Sequence, residues 1–419
     1  MQKGFLTLFL TLFLACSSAQ AGVADRATQD EVLIGATLPL TGAEAKTGVA
    51  FKEGYDLAIE SANRAGGVLV SGRRIAVRLE LLDDHSSPAD AVSLAEKLID
   101  ERKVKFLLGT YSSSLVTAQS AVPELAHVPY VNGGGAAAEI YTRAPKYVFG
   151  LLAPVDLLAY SEMRWLDVQQ NEGRLPAKMR VAVLWENTAH GKDFRRGVID
   201  FATKTARRRS SYEVVFDDSF TLDAPDAKSL MAKLKAANAD VFLADAHLPD
   251  FIALHKQYVA QKLCHSVVSY GARGSERQAA EALGRENVDY ILSAVWWNSQ
   301  LGASGLNKEF VQAFQAKHHR LPEWYHALGY ETARVLLAAI EQAGSLDREK
   351  VREELAKLDI ETILPGGRTR FNGHQAQYPF VVQQNQPDGS SPIVYPLELA
   401  QTKGTAVNPK CVSKALSAR

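Results

Sequence analysis

Apolar and polar positions alternate along the chain with two periods. Short runs dominated by β-branched and other apolar residues, at 32–37, 75–82, 106–109, 128–132 and 147–152, predict strands, because the buried strands of a parallel sheet read as near-continuous apolar runs. Between them lie longer amphipathic stretches at 48–65, 89–101 and 114–125, the first carrying Phe51, Tyr55, Leu57, Ala58 and Ala62 at apolar positions. Strand, helix and strand at this spacing predict βαβ units. The rhythm restarts after Pro154, with helices expected at 157–170, 192–207, 227–237 and 248–261 and strands at 180–185, 213–220, 241–244, 266–269 and 290–295.

Two successive blocks of this kind, each roughly 130 residues long, predict an α/β protein of two doubly wound parallel-sheet lobes. Helices at 308–317, 325–343 and 348–358 and β-like segments at 368–371 and 380–384 are left over. They must be shared between the lobes, so the chain is expected to cross between them more than once. The expected division is 30–153 with 297–362 for the first lobe, 154–296 with 363–400 for the second, and a loose tail over 401–419.

Composition narrows the function. The 419 residues carry 47 Lys+Arg against 47 Asp+Glu, and a neutral chain with scattered basic residues excludes binding that depends on neutralising phosphates. Nucleic acid is not an expected partner. The N-terminus has a short positive start at Met1-Gln2-Lys3, an apolar stretch over 5–15 and the small-x-small pattern Ala19-Gln20-Ala21, which together predict a signal peptide over 1–21 and export. Lipoprotein processing at Cys16 is the alternative, disfavoured by bulky Leu14. Of the remaining cysteines, Cys264 is expected as a buried thiol and Cys411 as a thiol on the tail, rather than as a pair.

Motifs for chemistry are sparse. Gly133-Gly134-Gly135-Ala136-Ala137-Ala138 follows a strand and matches a loose dinucleotide fingerprint, but the next strand begins too soon for a full crossover helix. The glycines read instead as a close backbone approach to something smaller. The sequence has no G-x-S-x-G elbow, no phosphate loop and no H-E-x-x-H. His318-His319 reads as a solvated face, and neither a metal nor a cofactor is expected. What recurs is a polar or glycine-rich turn after each strand, where open α/β sheets bind ligands. These turns hold Thr47, Tyr111-Ser112-Ser113, Gly134-Gly135-Ala136, His190, Asp245 with His247, and Gly271 with Arg273. Turns of two lobes facing one another make a small-molecule clamp, and enzymatic turnover is not expected.

Ile34-Gly35-x5-Thr41-Gly42-x5-Gly48, Asn63-Arg64-Ala65-Gly66-Gly67-Val68, Leu82-Asp83-Asp84-x3-Pro88 and Gly109-x-Tyr111-Ser112-Ser113 resemble the periplasmic leucine/isoleucine/valine-binding family. The C-terminal segment from Ala338 through Gly366-Gly367 to Phe371 and Gly373 is similar to it as well. The resemblance implies the solute receptor of an ABC importer, with an inner-membrane permease as partner, a monomeric state, and two lobes joined by a three-crossover hinge that close on a small-molecule ligand.

Carried over by position, the resemblance implies that Ser112 and the loop of Gly134, Gly135 and Ala136 hold a carboxylate, with Ser113 alongside. The family's two second-lobe tyrosines fall on His190 and His247, and its ammonium-binding acid falls near Gly271, leaving Asp245 as the nearby carboxylate. Donor histidines and Arg273 in place of that acid suit an anionic or phenolic ligand. Tyr111, Trp297 and Tyr325 are expected to line the cleft with flat faces, and Thr47 stands where relatives have an aromatic contact. The resulting expectation is a small aromatic or hydrophobic carboxylate as ligand, with a hydrophobic amino acid or a signalling role as alternatives. If the histidines titrate, affinity should vary between about pH 5.5 and 7.5.

Overall fold

The computed structural model describes residues 31–302 and 305–411; the expected signal segment and Cys16 lie outside the described residues. The strands are β1 (Glu31–Leu38), β2 (Val68–Val70), β3 (Arg73–Asp83), β4 (Phe106–Leu108), β5 (Tyr130–Asn132), β6 (Val148–Gly150), β7 (Met179–Glu186), β8 (Tyr212–Phe220), β9 (Val241–Asp245), β10 (Val267–Ser269) and β11 (Leu292–Val295). β12 (Asp359–Glu361), β13 (Arg368–Asn372), β14 (Gln375–Ala376), β15 (Val381–Gln384) and β16 (Ile393–Tyr395) follow. One sheet runs β12-β13-β14-β6-β5-β4-β1-β3-β2 and the other β16-β15-β11-β10-β9-β7-β8. Each is parallel at its centre, with β1 between β3 and β4 and β7 between β8 and β9. Antiparallel strands close both edges of the first sheet and the β16 edge of the second, whose other edge is the parallel strand β8. Two helix-covered sheets of this kind are the α/β, two-lobed fold expected from the apolar runs.

Two expected helices are divided. The stretch 114–125 forms Ser113–Gln119 and Ala121–Leu125, because Pro123 has no N–H to return to the Gln119 carbonyl. The stretch 192–207 forms Ala189–Thr203 and Ala206–Ser211, the second started by Thr205, whose side chain accepts from the Arg208 N–H.

The chain passes between lobes three times, and the expected boundary at 363 is corrected. β13 and β14 lie in the first sheet, where Gln375 pairs with Gly150, so the last crossing falls after Ala376. The three passages touch. The Trp296 indole N–H donates to the Ala153 carbonyl at 3.0 Å, and its ring lies 5.2 Å from that of Phe380. This contact of the three passages forms the hinge. The expected loose tail is corrected over its described part, 401–411, which is tied to the second lobe through Cys411. Cys264 and Cys411 form a disulfide with Cα atoms 5.4 Å apart, against the expectation of two thiols. The Asn408 N–H adds a bond to the Ser266 carbonyl.

Within the first lobe, helices Ala45–Arg64 and Trp324–Ala343 cross at two glycines. A Cβ on Gly54 would stand 2.3 Å from the His326 carbonyl oxygen, and one on Gly329 2.5 Å from that of Phe51. This close approach brings Phe51 against Tyr325, with ring centres 6.2 Å apart, and sets the first-lobe wall of the cleft.

Candidate functional site

The second-lobe wall is built at the carboxyl ends of two adjacent parallel strands. β7 ends in Glu186 and β9 in Asp245, and Trp185 pairs with Asp245 across the ladder. The first turn of helix Ala189–Thr203 packs directly on the β7 end, where a Cβ on Gly191 would lie 2.0 Å from the Glu186 carbonyl oxygen, and this puts His190 beside both carboxylates. His190 Nδ1 lies 2.8 Å from Asp245 Oδ2, and His247 Nδ1 lies 2.6 Å from Glu186 Oε2. Thr188 Oγ1 donates to Glu186 Oε1 at 2.8 Å. Gly271, at φ +58°, lets its loop run past Asp245, whose Oδ1 would be 3.0 Å from an added Cβ.

The first-lobe wall comes from Glu44, Thr47, Tyr111 and Tyr325. Tyr111 and Tyr325 meet edge to face at 5.7 Å, and Tyr111 reaches the His247 ring at 6.1 Å. Thr47 Oγ1 donates to Glu44 Oε2 at 3.4 Å, and Glu44 Oε1 faces His247 Nε2 across the cleft at 3.7 Å. At the centre, the second-lobe Arg273 donates to both first-lobe phenols, to Tyr325 at 2.6 Å and to Tyr111. The Tyr325 hydroxyl in turn donates to Glu276. All of these side chains are buried, so the lobes stand closed on one another. Asp193 helps to hold them, accepting from the Ala138 N–H at 2.7 Å.

Electrostatics divide the cluster. Burial opposes ionisation of Glu186, but His247, His190 and Thr188 hold its carboxyl well below the usual range. Burial likewise favours a neutral His247, yet Glu186 and Glu44 keep its proton and raise its pKa. His247 is therefore charged throughout the pH 5.5–7.5 window in which it was expected to switch. Burial pushes the Glu276 carboxyl up to about 8, against the pull of Arg273 and the Tyr325 hydroxyl. At neutral pH the Arg273 guanidinium therefore has a largely protonated acid as its neighbour, 3.6 Å away.

The structure brings Thr47, Tyr111, His190, Asp245, His247, Gly271 and Tyr325 together, and seats Trp297 and the loop of Gly134, Gly135 and Ala136 with Ser113 differently. Trp297 turns out of the cleft, its N–H donating to Asn307 Oδ1 at 2.8 Å and its ring resting edge-on against Phe310. The glycine loop packs against the protein itself rather than a small ligand: a Cβ on Gly133 would meet Thr332 Oγ1, one on Gly134 the Thr110 carbonyl at 2.1 Å, and one on Gly135 the Val116 side chain. Two of its donors are committed as well, Gly135 N–H to Asn132 Oδ1 and Ala136 N–H to Ser113 Oγ, both at 3.1 Å. Ser112 stays beside the cluster at the start of helix Ser113–Gln119, with no side-chain capping bond.

The sequence assigned no ligand contact to Glu44, Glu186 or Glu276, and all three are buried in the cluster. One local signal was available. A carboxylate at a strand end stands four residues before His190 and another two residues before His247, a spacing that places acid and imidazole on the same turn.

Two parallel-sheet lobes, a triple-passage hinge and a buried polar cluster contributed by strand-end loops of both lobes define a two-lobed solute-binding protein. Comparison with known proteins agrees. The family model for periplasmic binding proteins matches residues 31–390, and the chain belongs to that family. It is 26% identical over 400 residues to Leu/Ile/Val-binding protein homolog 8 of Brucella suis biovar 1, covering 92% of this chain and 95% of the relative. Two solved structures share the fold. The branched-chain amino acid transporter substrate-binding protein LivJ from Streptococcus pneumoniae, in complex with isoleucine, superposes with a TM-score of 0.74 at 19% identity, covering 87% of this chain and 100% of that one. A solute-binding protein of an ABC transporter from Rhodopseudomonas palustris, in complex with 3,4-dihydroxybenzoic acid, gives 0.72 at 20% identity, with coverage of 87% and 95%.

Proposed function

We propose that this chain is the periplasmic solute-binding component of an ABC importer of the branched-chain amino acid type, and that it captures a small aromatic or hydrophobic carboxylate between its lobes. The observation that carries the ligand class is Arg273, a buried guanidinium donating across the cleft to two neutral phenols, with Glu276 3.6 Å away and no carboxylate in hydrogen-bond contact among the described residues. A buried cation without a hydrogen-bonded counter-ion favours an anion, and a fork of N–H donors matches a carboxylate. Tyr111, Tyr325 and Phe51 give that anion a flat apolar surround. In this reading the anion sits at Arg273 and the tyrosines, with Ser112 as a further donor, rather than at the glycine loop, where the Gly135 and Ala136 N–H groups are engaged.

No bond is made or broken in this reading. Solute binds the open form, both lobes contact it, and the closed form presented to the inner-membrane permease gains population by the solute's differential affinity. Export to the periplasm fits the disulfide, which persists in oxidising compartments.

The second reading, a hydrophobic amino acid, draws on Glu44, Glu186 and Asp245, which supply the carboxylates an ammonium requires. The test is a calorimetric titration of the mature protein with benzoates, cinnamates, short aliphatic acids and amino acids. Binding confined to acids without an α-amino group supports the first reading. Binding of leucine or phenylalanine with no response to benzoates replaces it with the second.

A further inference from the structure

Glu186, His190 and Asp245 each offer one donor atom, and these atoms all lie within 4.8 Å of one another in the second-lobe wall. We propose that they form a binding site for a divalent transition-metal ion, with Zn2+ the best match, three protein donors and a coordination position left open to solute or water. The separations fit. Donors on one tetrahedral Zn2+, each at roughly 2.0–2.1 Å, stand about 3.3 Å apart. His190 Nδ1 is 2.8 Å from Asp245 Oδ2 and 4.0 Å from Glu186 Oε1, values on either side of that spacing, so small side-chain rotations meet it.

The surroundings are those of a built site. The donors come from the ends of two paired strands and the first turn of a helix seated on one of them, which fixes their mutual positions more closely than a surface loop would. Each donor is more than nine-tenths buried. Glu186 is oriented by two partners that are not themselves donors to the ion: Thr188 Oγ1 on Oε1 and His247 Nδ1 on Oε2. Such second contacts hold a ligating carboxylate in place. Charge also favours the ion. Glu186 and Asp245 are buried side by side with one imidazolium, His247, on Glu186, and a cation between the two carboxylates relieves the repulsion that remains. Two carboxylates and one imidazole suit Zn2+ or Mn2+ more than Ca2+ or Mg2+, which take oxygen ligands. All three donors belong to one lobe, so the site survives opening of the cleft, which gives the ion its entry path.

The experiment uses the mature protein stripped with a chelator and dialysed, with no organic solute present, so its outcome is independent of the ligand class proposed above. Titration with ZnCl2 and with MnCl2 is expected to show one saturable site. His190→Ala and Asp245→Asn each weaken it by about tenfold or more, while a His319→Ala variant, altered at an exposed position of the first lobe, binds as the parent does. The unmutated protein loaded with Co2+ is expected to develop the intense visible absorption of a four-coordinate site. Absence of saturable binding, binding that survives both cleft substitutions, binding lost in the surface variant, or a Co2+ spectrum like that of the hydrated ion overturns the proposal.

Discussion

The guanidinium of Arg273, carried by the second lobe, donates to the phenol oxygen of Tyr325, carried by the first, at 2.6 Å. This bond and its twin to Tyr111 join the lobes at the point where the ligand carboxylate is proposed to sit. Arg273→Gln keeps a polar side chain but removes the charge and the fork. It is expected to lower affinity for a carboxylate solute by about 1.5–3 kcal/mol, the worth of a charge-assisted hydrogen bond, read by calorimetric titration of parent and variant. Arg273→Lys restores the charge without the paired geometry and should recover only part of the loss. Unchanged affinity in the glutamine variant places the anion elsewhere.

Gly134 separates a packing role from a ligand role. An added Cβ would stand 2.1 Å from the Thr110 carbonyl oxygen, a backbone atom that moves only with its strand end. Gly134→Ala is expected to destabilise the fold by about 1–3 kcal/mol, the usual cost of overpacking, measured by urea denaturation without solute. A variant as stable as the parent but weaker in binding would return this loop to the ligand.

Glu162 gives a pH dependence. Its carboxyl is wholly buried on helix Val155–Asn171, where one oxygen accepts from the Ser269 hydroxyl. Burial, helped by the nearby Asp245, pushes its pKa from 4.5 up to about 8, against the pull of Ser269. The folded state then binds the proton more tightly than the unfolded state. The contribution is fully present below pH 4.5 and is lost as pH rises through about 8. Stability of the parent should fall across that interval by on the order of a few kcal/mol for each such group, and Glu162→Gln, neutral at every pH, should remove the Glu162 share of the slope and leave that of Glu276. Parallel curves for the two proteins, in denaturant melts from pH 5 to 9, would refute the assignment.

The disulfide closes a loop spanning 147 positions. Loop-closure entropy alone assigns about 5 kcal/mol to such a link, and measured values for single bridges usually fall between about 2 and 5 kcal/mol. Replacing Cys264 and Cys411 by Ala is expected to cost an amount in that range, with solute affinity unchanged, since the bridge lies at the far end of β10 from the cleft. Equal stability of the two forms in chemical denaturation would mean that tail packing around Ala406 and Asn408 carries the attachment without the bond.

Much of the architecture was legible in the chain. The run 241–244 is uninterrupted and apolar because β9 is buried on both faces, and the helix at 325–343 shows its apolar face because one side packs on Ala45–Arg64. The segments read least well were short or marginal, such as β14, two residues long, whose place in the first sheet moved the last crossing from 363 to beyond Ala376. A two-residue strand has no period to detect.

The site divides in the same way. Local sequence determined the turns after strands, the presence there of Tyr111, His190, Asp245, His247 and Gly271, and the family that these spacings resemble. Periodicity and turn chemistry are properties of neighbouring residues, so they can be read in line. Which groups meet was decided by the tertiary structure alone. Arg273 and Tyr111 are 162 positions apart, Glu44 faces His247 only when the lobes close, and Cys264 finds Cys411 only because the tail folds back along the second lobe. The glycines of 133–135 show the converse: the sequence revealed a need for close approach, and only packing showed that the approaching atoms belong to the protein. Burial, the source of the shifted protonation of Glu162 and Glu276, is likewise a property of the folded whole, because it depends on what the rest of the chain removes from water.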